Sequence, residues 1–381
     1  MDKENNKVNN YCCYDKFSVK DSSLNFIFAS VLPFVMSLIL IVVFMILAGL
    51  SGHSYRDFIK TEFVQVVNLI FTPITFFLIY FFFCKKNKIQ VFKASSISFK
   101  LDWRKILIVV GISVTSVFLV SPFVSLFDYG LSQLGYNPSD SLPYVMNNGL
   151  RYVVGLIAMA VLPAICEELM FRGLILKGLE DKFGQHGAVL ISATMFMLLH
   201  GSLQQTIYQF LIGVLLGYVM VYGKNVLYPM IMHFVNNAIV VTMSFIYTLK
   251  GIDVNVDPVY STAWDYIAPI LFLLLALAIL FGLIYLMRLL NKIDVLKKVE
   301  KETVALANAS ENIETTTDVV ENNQPTLNEE NNEKQESIAQ EENINSKGKL
   351  TKEEKIYFWA SIGLSVFLWI TNTVMQFFNL F

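Results

Sequence analysis

The chain has 381 residues, 55% of them apolar and 31 of them Phe, with a formal charge of only -2. Soluble globular domains keep their apolar share nearer half and do not gather it into long runs, so this composition excludes a soluble domain and indicates a polytopic membrane protein. The near-zero sum hides segregation: Cys84 to Lys105 holds seven Lys and Arg against one Asp, while Glu300 to Lys355 holds fourteen acids.

A polar, Asn-rich N-terminus (1–26) precedes the first apolar run, which begins too late and runs too long for a cleaved signal peptide and reads as a retained anchor. About twenty apolar residues are needed to cross roughly 30 Å of hydrocarbon. That rule predicts an all-α, polytopic transmembrane helix bundle of nine spans, near 27–50, 64–83, 106–127, 151–171, 187–201, 205–222, 226–247, 264–288 and 357–380. The organisation expected is N-terminal spans to residue 149, a core at 150–247, an additional span within 248–298, an acidic linker at 299–355 and a last span at 356–381. The linker has no aromatic residue and is rich in Glu, Asn, Thr and Gln, a composition that cannot bury enough apolar area to offset its ordering entropy; it predicts a disordered tether.

Lys and Arg in short loops favour the cytosol. With the N-terminus inside, nine spans place every basic loop there: 84–105, 172–182, Lys224 and 288–298. Only Arg56 and Lys60, in the first outside loop, are discordant. Lysine outnumbers arginine 24 to 5, in line with an A/T-rich prokaryotic genome and hence a plasma-membrane location. The cysteines, Cys12, Cys13, Cys84 and Cys166, show no zinc or disulfide spacing and read as reduced. There is no internal repeat, no phosphate-cradling glycine loop and no basic surface for nucleic acid beyond what topology explains.

Three stretches set polar groups inside apolar sequence: Glu167-Glu168 with Arg172, Phe196 with His200, and His233 with Asn236-Asn237. Ionisable residues at membrane depth are costly and mark functional sites. Glu168 and Arg172 lie four apart on one helical face, where a charged pair neutralises itself. Glu167 points about 100° away, free to meet another partner and to serve as a general base. Phe196 and His200 share a face, so the ring can shelter the imidazole. His233 and Asn237 also share one, and their N–H groups could donate to one developing oxyanion. Alternatively Glu167, His200 and His233 could hold zinc with a fourth position open for water. A packing network without chemistry is the competing reading of Glu167, Glu168 and Arg172. His53, in an outside loop, and His186, at a span entrance, read as surface residues, and the four tryptophans as packing or interfacial anchors.

The three motifs, Glu-Glu-x-x-x-Arg, Phe-x-x-x-His and His-x-x-x-Asn in that order, resemble those of the CPBP intramembrane proteases, also called the CAAX protease and bacteriocin-processing or Abi family, which includes the Ras-converting enzymes. The resemblance covers roughly residues 150 to 245. It implies an endopeptidase in which Glu167 and His200 activate water, His233 and Asn237 form the oxyanion hole, and Glu168, Arg172 and Phe196 support the site. A metal-free glutamate mechanism is favoured, with no cofactor, because Asn237 is a natural donor and a poor zinc ligand. The implied substrate is a membrane-associated peptide or protein in the lipid bilayer, not nucleic acid, with the linker and last span as candidate recruiters of a partner. The rivals are a non-catalytic immunity or scaffold protein of the same fold and a proton-coupled transporter. Because Glu167 is only five residues before Arg172, in the basic stretch, the site is expected to open toward the cytosolic leaflet.

Overall fold

The computed structural model describes residues 17–136, 144–252, 260–314 and 349–378. Its architecture is all-helical among those residues, with long apolar helices packed as a bundle. We number them α1 (Val19–Leu50), α2 (Glu62–Lys86), α3 (Trp103–Gln133), α4 (149–183), α5 (185–199), α6 (Thr206–Gly223), α7 (Leu227–Lys250), α8 (Ala263–Glu314) and α9 (Lys352–Phe377).

Residues 149–183 and 185–199 form one apolar stretch from Gly149 to Leu199, so that eight candidate spans stand where nine are expected. Fifty-one residues would extend about 77 Å, far more than one crossing needs. The chain in fact turns back at Gly184, where φ is 67° and ψ 172°, a conformation glycine adopts without steric cost. The rings of Phe171 and Phe196 then meet edge to face at 5.0 Å, and residues 171 and 196 stand almost symmetrically about Gly184. Residues 149–183 and 185–199 are therefore two antiparallel arms of one hairpin.

Local signals set the helix starts. Ser18 and Asp21 form a capping box before α1, and Thr351 and Glu354 form another before α9. The last helix thus begins at Lys352, slightly before the apolar run. Helix α8 departs from expectation at its far end: the segment expected to be disordered from Val299 continues as helix to Glu314. Its good helix formers, Lys, Glu, Ala and Leu, suit that continuation. The rest of the linker, the first sixteen residues and residues 379–381 lie outside the described residues.

The four basic loops meet at one end of the bundle. Lys86 pairs with Asp21 at 3.2 Å, Lys105 with Asp294 at 2.7 Å, and Lys177 donates to the Ala94 carbonyl at 2.5 Å. Asn225 donates to the Ser98 carbonyl at 2.5 Å. At the opposite end Tyr144 donates to Glu62 at 2.7 Å, joining the starts of α2 and α4. Helices α1 and α9 run parallel, linked by Lys20–Glu353 at 2.6 Å near their starts and by Ser30 and Ser365 hydroxyls at 2.9 Å a few turns on.

Two apolar cores flank the middle of the bundle. One joins α1, α2, α4, α5, α6 and the start of α9; the other joins α3, α6, α7 and α8. Between them, α6 approaches α5 so closely that a Cβ on Gly213 would stand 3.0 Å from the Ala193 Cα. Large apolar side chains on α1 and α8, Leu38, Val42, Ile46, Leu274 and Phe281 among them, remain exposed, as a lipid-facing surface requires.

Candidate active site

Four elements contribute to one polar cavity of about 320 Å³. From α4 come Met159, Pro163 and Glu167, spaced by four and so on one helical stripe. From α6 come Tyr208, Gln209 and Ile212, with Gln205 just before its first turn. From α7 come His233, Asn236, Asn237, Val240 and Val241, again one face. His200 enters from the end of α5.

Helix α4 is shaped for this by its own irregularity. Residues Ile157–Val161 form a π-helical turn immediately before Pro163. Proline has no N–H, so the carbonyl four residues back, that of Met159, loses its α-helical donor. The Asn237 amide supplies one, donating to the Met159 oxygen at 3.1 Å. Asn237 therefore ties α7 to the break in α4, and one of its two amide hydrogens is already committed.

Beneath the cavity floor lies a fully enclosed charge cluster. Glu168 and Arg172 are inaccessible to solvent and pair at 2.9 Å, the i,i+4 contact expected from their spacing. The same Glu168 oxygen receives a hydrogen bond from His233 Nδ1 at 2.9 Å, an interhelical contact that sequence spacing does not reveal. Arg172 also donates to the Gly213 carbonyl at 3.1 Å, and its guanidinium stacks over the rings of Phe171 and Phe196 at 5.6 and 4.8 Å. Phe196 is the hub: its ring centre is 4.7 Å from that of His200 and 6.1 Å from that of His233.

These contacts fix which imidazole nitrogens are free. A backbone carbonyl only accepts, and His200 Nδ1 sits 2.8 Å from the Phe196 oxygen, so Nδ1 carries the proton and a neutral ring presents a bare Nε2. Glu168, already paired with Arg172, likewise accepts from His233 Nδ1. His233 Nε2 then faces the Glu167 carboxylate at 4.0 Å. A neutral His233 is consequently an acceptor toward the cavity, and it becomes an oxyanion donor only with a proton on Nε2. His233 and Asn237 each have one hydrogen bond spent on the scaffold, which leaves one ring nitrogen and one amide hydrogen toward the cavity.

An imidazole whose other nitrogen donates to a carboxylate or carbonyl is also the arrangement found at metals. Among the described residues no three His, Cys, Asp or Glu side chains group closely enough to hold one ion.

Gln205 and Gln209 stand at the start of α6, the end remote from Lys224, so the cavity extends along α6 away from that basic residue. Arg172 is consumed in the buried pair and is no interfacial charge. Tyr208, which donates to Asn236 at 2.9 Å, and the two glutamines are cavity residues that motif reading missed. Their signal was present as polar groups at i, i+3 and i+4 in an apolar span. His186 donates to or accepts from Tyr218 at 2.9 Å and His53 lies in its exposed loop, both away from the cavity. Cys84 and Cys166 are buried free thiols.

Residues 149–239 match the family described as Rce1-like, type II CAAX prenyl endopeptidase. The matched stretch contains Glu167, Glu168, Arg172, Phe196, His200, His233 and Asn237 together. No curated protein and no solved structure matches the chain.

Proposed function

We propose that this chain, which carries an Rce1-like CAAX protease domain at residues 149–239 in a multi-pass membrane protein, is an intramembrane endopeptidase acting through water activated by Glu167 and His200. The observation that carries the reading is the convergence, on one cavity among apolar helices, of a carboxylate and two imidazoles whose ring orientations are each fixed by a hydrogen bond. A non-catalytic scaffold has no physical need to orient both rings in this way.

In the reaction, Glu167 accepts one proton of a water as its oxygen attacks the scissile carbonyl, while the bare Nε2 of His200 holds the other hydrogen and takes it as the product acid ionises. His233, once protonated on Nε2, and the uncommitted hydrogen of Asn237 donate to the resulting oxyanion. Glu168 supports the imidazolium from the other nitrogen. Collapse breaks the C–N bond, and the proton taken by Glu167 passes to the leaving amine. Glu168, Arg172 and Phe196 act through these groups and do not touch the substrate. No step is routed through a metal, because Asn237, whose amide is a natural donor to an oxyanion, is a poor metal ligand.

The substrate is a membrane-associated protein or peptide of a prokaryotic cell, in keeping with the lysine-rich composition, and it enters from the end of the bundle opposite the basic loops. By the positive-inside rule that end faces away from the cytosol. The test is cleavage of a pool of internally quenched peptides by the purified chain in detergent, beside Glu167→Gln and beside enzyme exhaustively chelated and assayed for zinc. Activity lost in the variant and kept after chelation supports the mechanism. Activity that leaves and returns with stoichiometric zinc refutes the metal-free form, and cleavage retained by Glu167→Gln refutes the role of that carboxylate.

A further inference from the structure

His200 occupies a precarious place. Helix α5 ends at Leu199, so His200 is its C-cap, and Gly201 follows in the left-handed region at φ 60°. Helix ends fray unless their last carbonyls find partners. The Gly201 carbonyl has one: the side-chain amide of Asn372, on α9, donates to it across 171 residues of sequence. The fit is close enough that a Cβ on Gly201 would meet the Asn372 nitrogen at 2.8 Å.

One turn farther along α9, Gln376 accepts from the Tyr136 hydroxyl at 2.6 Å. The Tyr136 oxygen in turn stands beside Ser202, Leu203 and Gln204. The turn from His200 to Gln205, which carries one catalytic imidazole and one cavity-lining amide, is thus held from α9 at Gly201 and flanked by the Tyr136–Gln376 pair. Apolar packing here is incomplete: Leu198, Leu199, Leu368, Trp369 and Met375 surround a cavity of about 500 Å³ between α1, α5 and α9. The polar contacts are what register α9 against the end of α5.

We propose that Asn372 is a positioning residue for His200, which makes the last pass a working part of the catalytic core. This departs from the expectation that it merely recruits substrate or partner, and it rests on the proteolytic reading above. The mechanism is geometric: without the amide the turn at Gly201 relaxes, the Nε2 of His200 drifts from the water it must accept from, and the chemical step slows while the rest of the cavity still binds.

The experiment uses the full chain in detergent and the peptide pool, comparing wild type, Asn372→Leu, Asn372→Gln and Glu167→Gln. Four quantities are read: kcat, KM, midpoint of thermal unfolding, and hydrogen exchange of the amides at 201–205. Asn372→Leu is expected to lower kcat at least tenfold with KM within twofold and to speed that local exchange at least tenfold, with the unfolding midpoint within a few degrees of wild type. Asn372→Gln, which keeps the donor, should recover most of both. Wild-type kcat and exchange in Asn372→Leu would overturn the proposal, as would loss of activity accompanied by global unfolding in both Asn372 variants. If Glu167→Gln cleaves normally the proteolytic reading falls by itself, and the exchange data still decide the latch.

Discussion

Changing Glu168 to Gln leaves its shape and removes its charge, and the consequence follows from complete enclosure. Both members of the Glu168–Arg172 pair have side chains inaccessible to solvent and stand 2.9 Å apart. Breaking such a pair by neutralising one partner costs about 3–5 kcal/mol, because the other charge stays buried and uncompensated. For a cooperative unit of 150–250 residues, where each kcal/mol moves the midpoint roughly 2–4 °C, that is a fall of about 6–20 °C. The double variant Glu168→Met with Arg172→Met has no such charge, and replacement of a buried pair by apolar groups of similar size is often neutral. It should therefore regain most of the lost stability. It should not regain activity, since His233 Nδ1 has lost the acceptor that orients its ring. The assay is thermal unfolding in detergent, followed by intrinsic fluorescence, beside peptide-pool cleavage. A single variant as stable as wild type would refute the argument from the buried pair, and an active double variant would refute the orienting contact.

The other expectations concern individual groups. Glu167→Gln and His200→Ala should abolish cleavage with membrane abundance nearly unchanged, because both face the cavity and neither belongs to the enclosed pair; loss of the protein on a quantitative immunoblot would contradict this. Gly213→Ala should destabilise by about 1–3 kcal/mol, the usual cost of overpacking, since its Cβ would press on the Ala193 backbone at 3.0 Å; an unchanged unfolding midpoint would show that α5 and α6 separate freely. A cysteine placed at Gln209, in a chain lacking its native cysteines, should react with a charged, membrane-impermeant thiol reagent added outside intact cells. Labelling only in inverted vesicles would reverse the assigned direction of the cavity.

Much of this was readable from sequence because membrane crossing imposes long apolar runs, and because ionisable groups at depth stand out against them. The spans, the pairing of Glu168 with Arg172 and the shared face of His233 and Asn237 all follow from helical period alone. What was hidden required contacts between helices. No spacing reveals that Glu168 also receives His233, or that Pro163 frees a carbonyl which Asn237 then satisfies. The connection between two spans is expected as a loop, and it is accomplished by a kink at Gly184, a residue with positive φ. Asn372 gave no motif, since a lone asparagine in a last span looks like any tolerated polar residue until its partner at Gly201 is known. Arg172 reads in the sequence as a loop charge, and in the fold it is fully enclosed against Glu168.

The central claim is that Glu167 serves peptide-bond hydrolysis within the membrane. It is tested most directly by comparing new protein N-termini in membranes from cells carrying wild type and cells carrying Glu167→Gln at equal abundance. A discrete set of termini in membrane-associated proteins, present with wild type and absent with the variant while the uncut precursors accumulate, is the expected result. Identical sets of termini, with the variant nonetheless folded and supporting every phenotype of the wild type, would contradict the account and leave the cavity a structural feature of a non-catalytic protein.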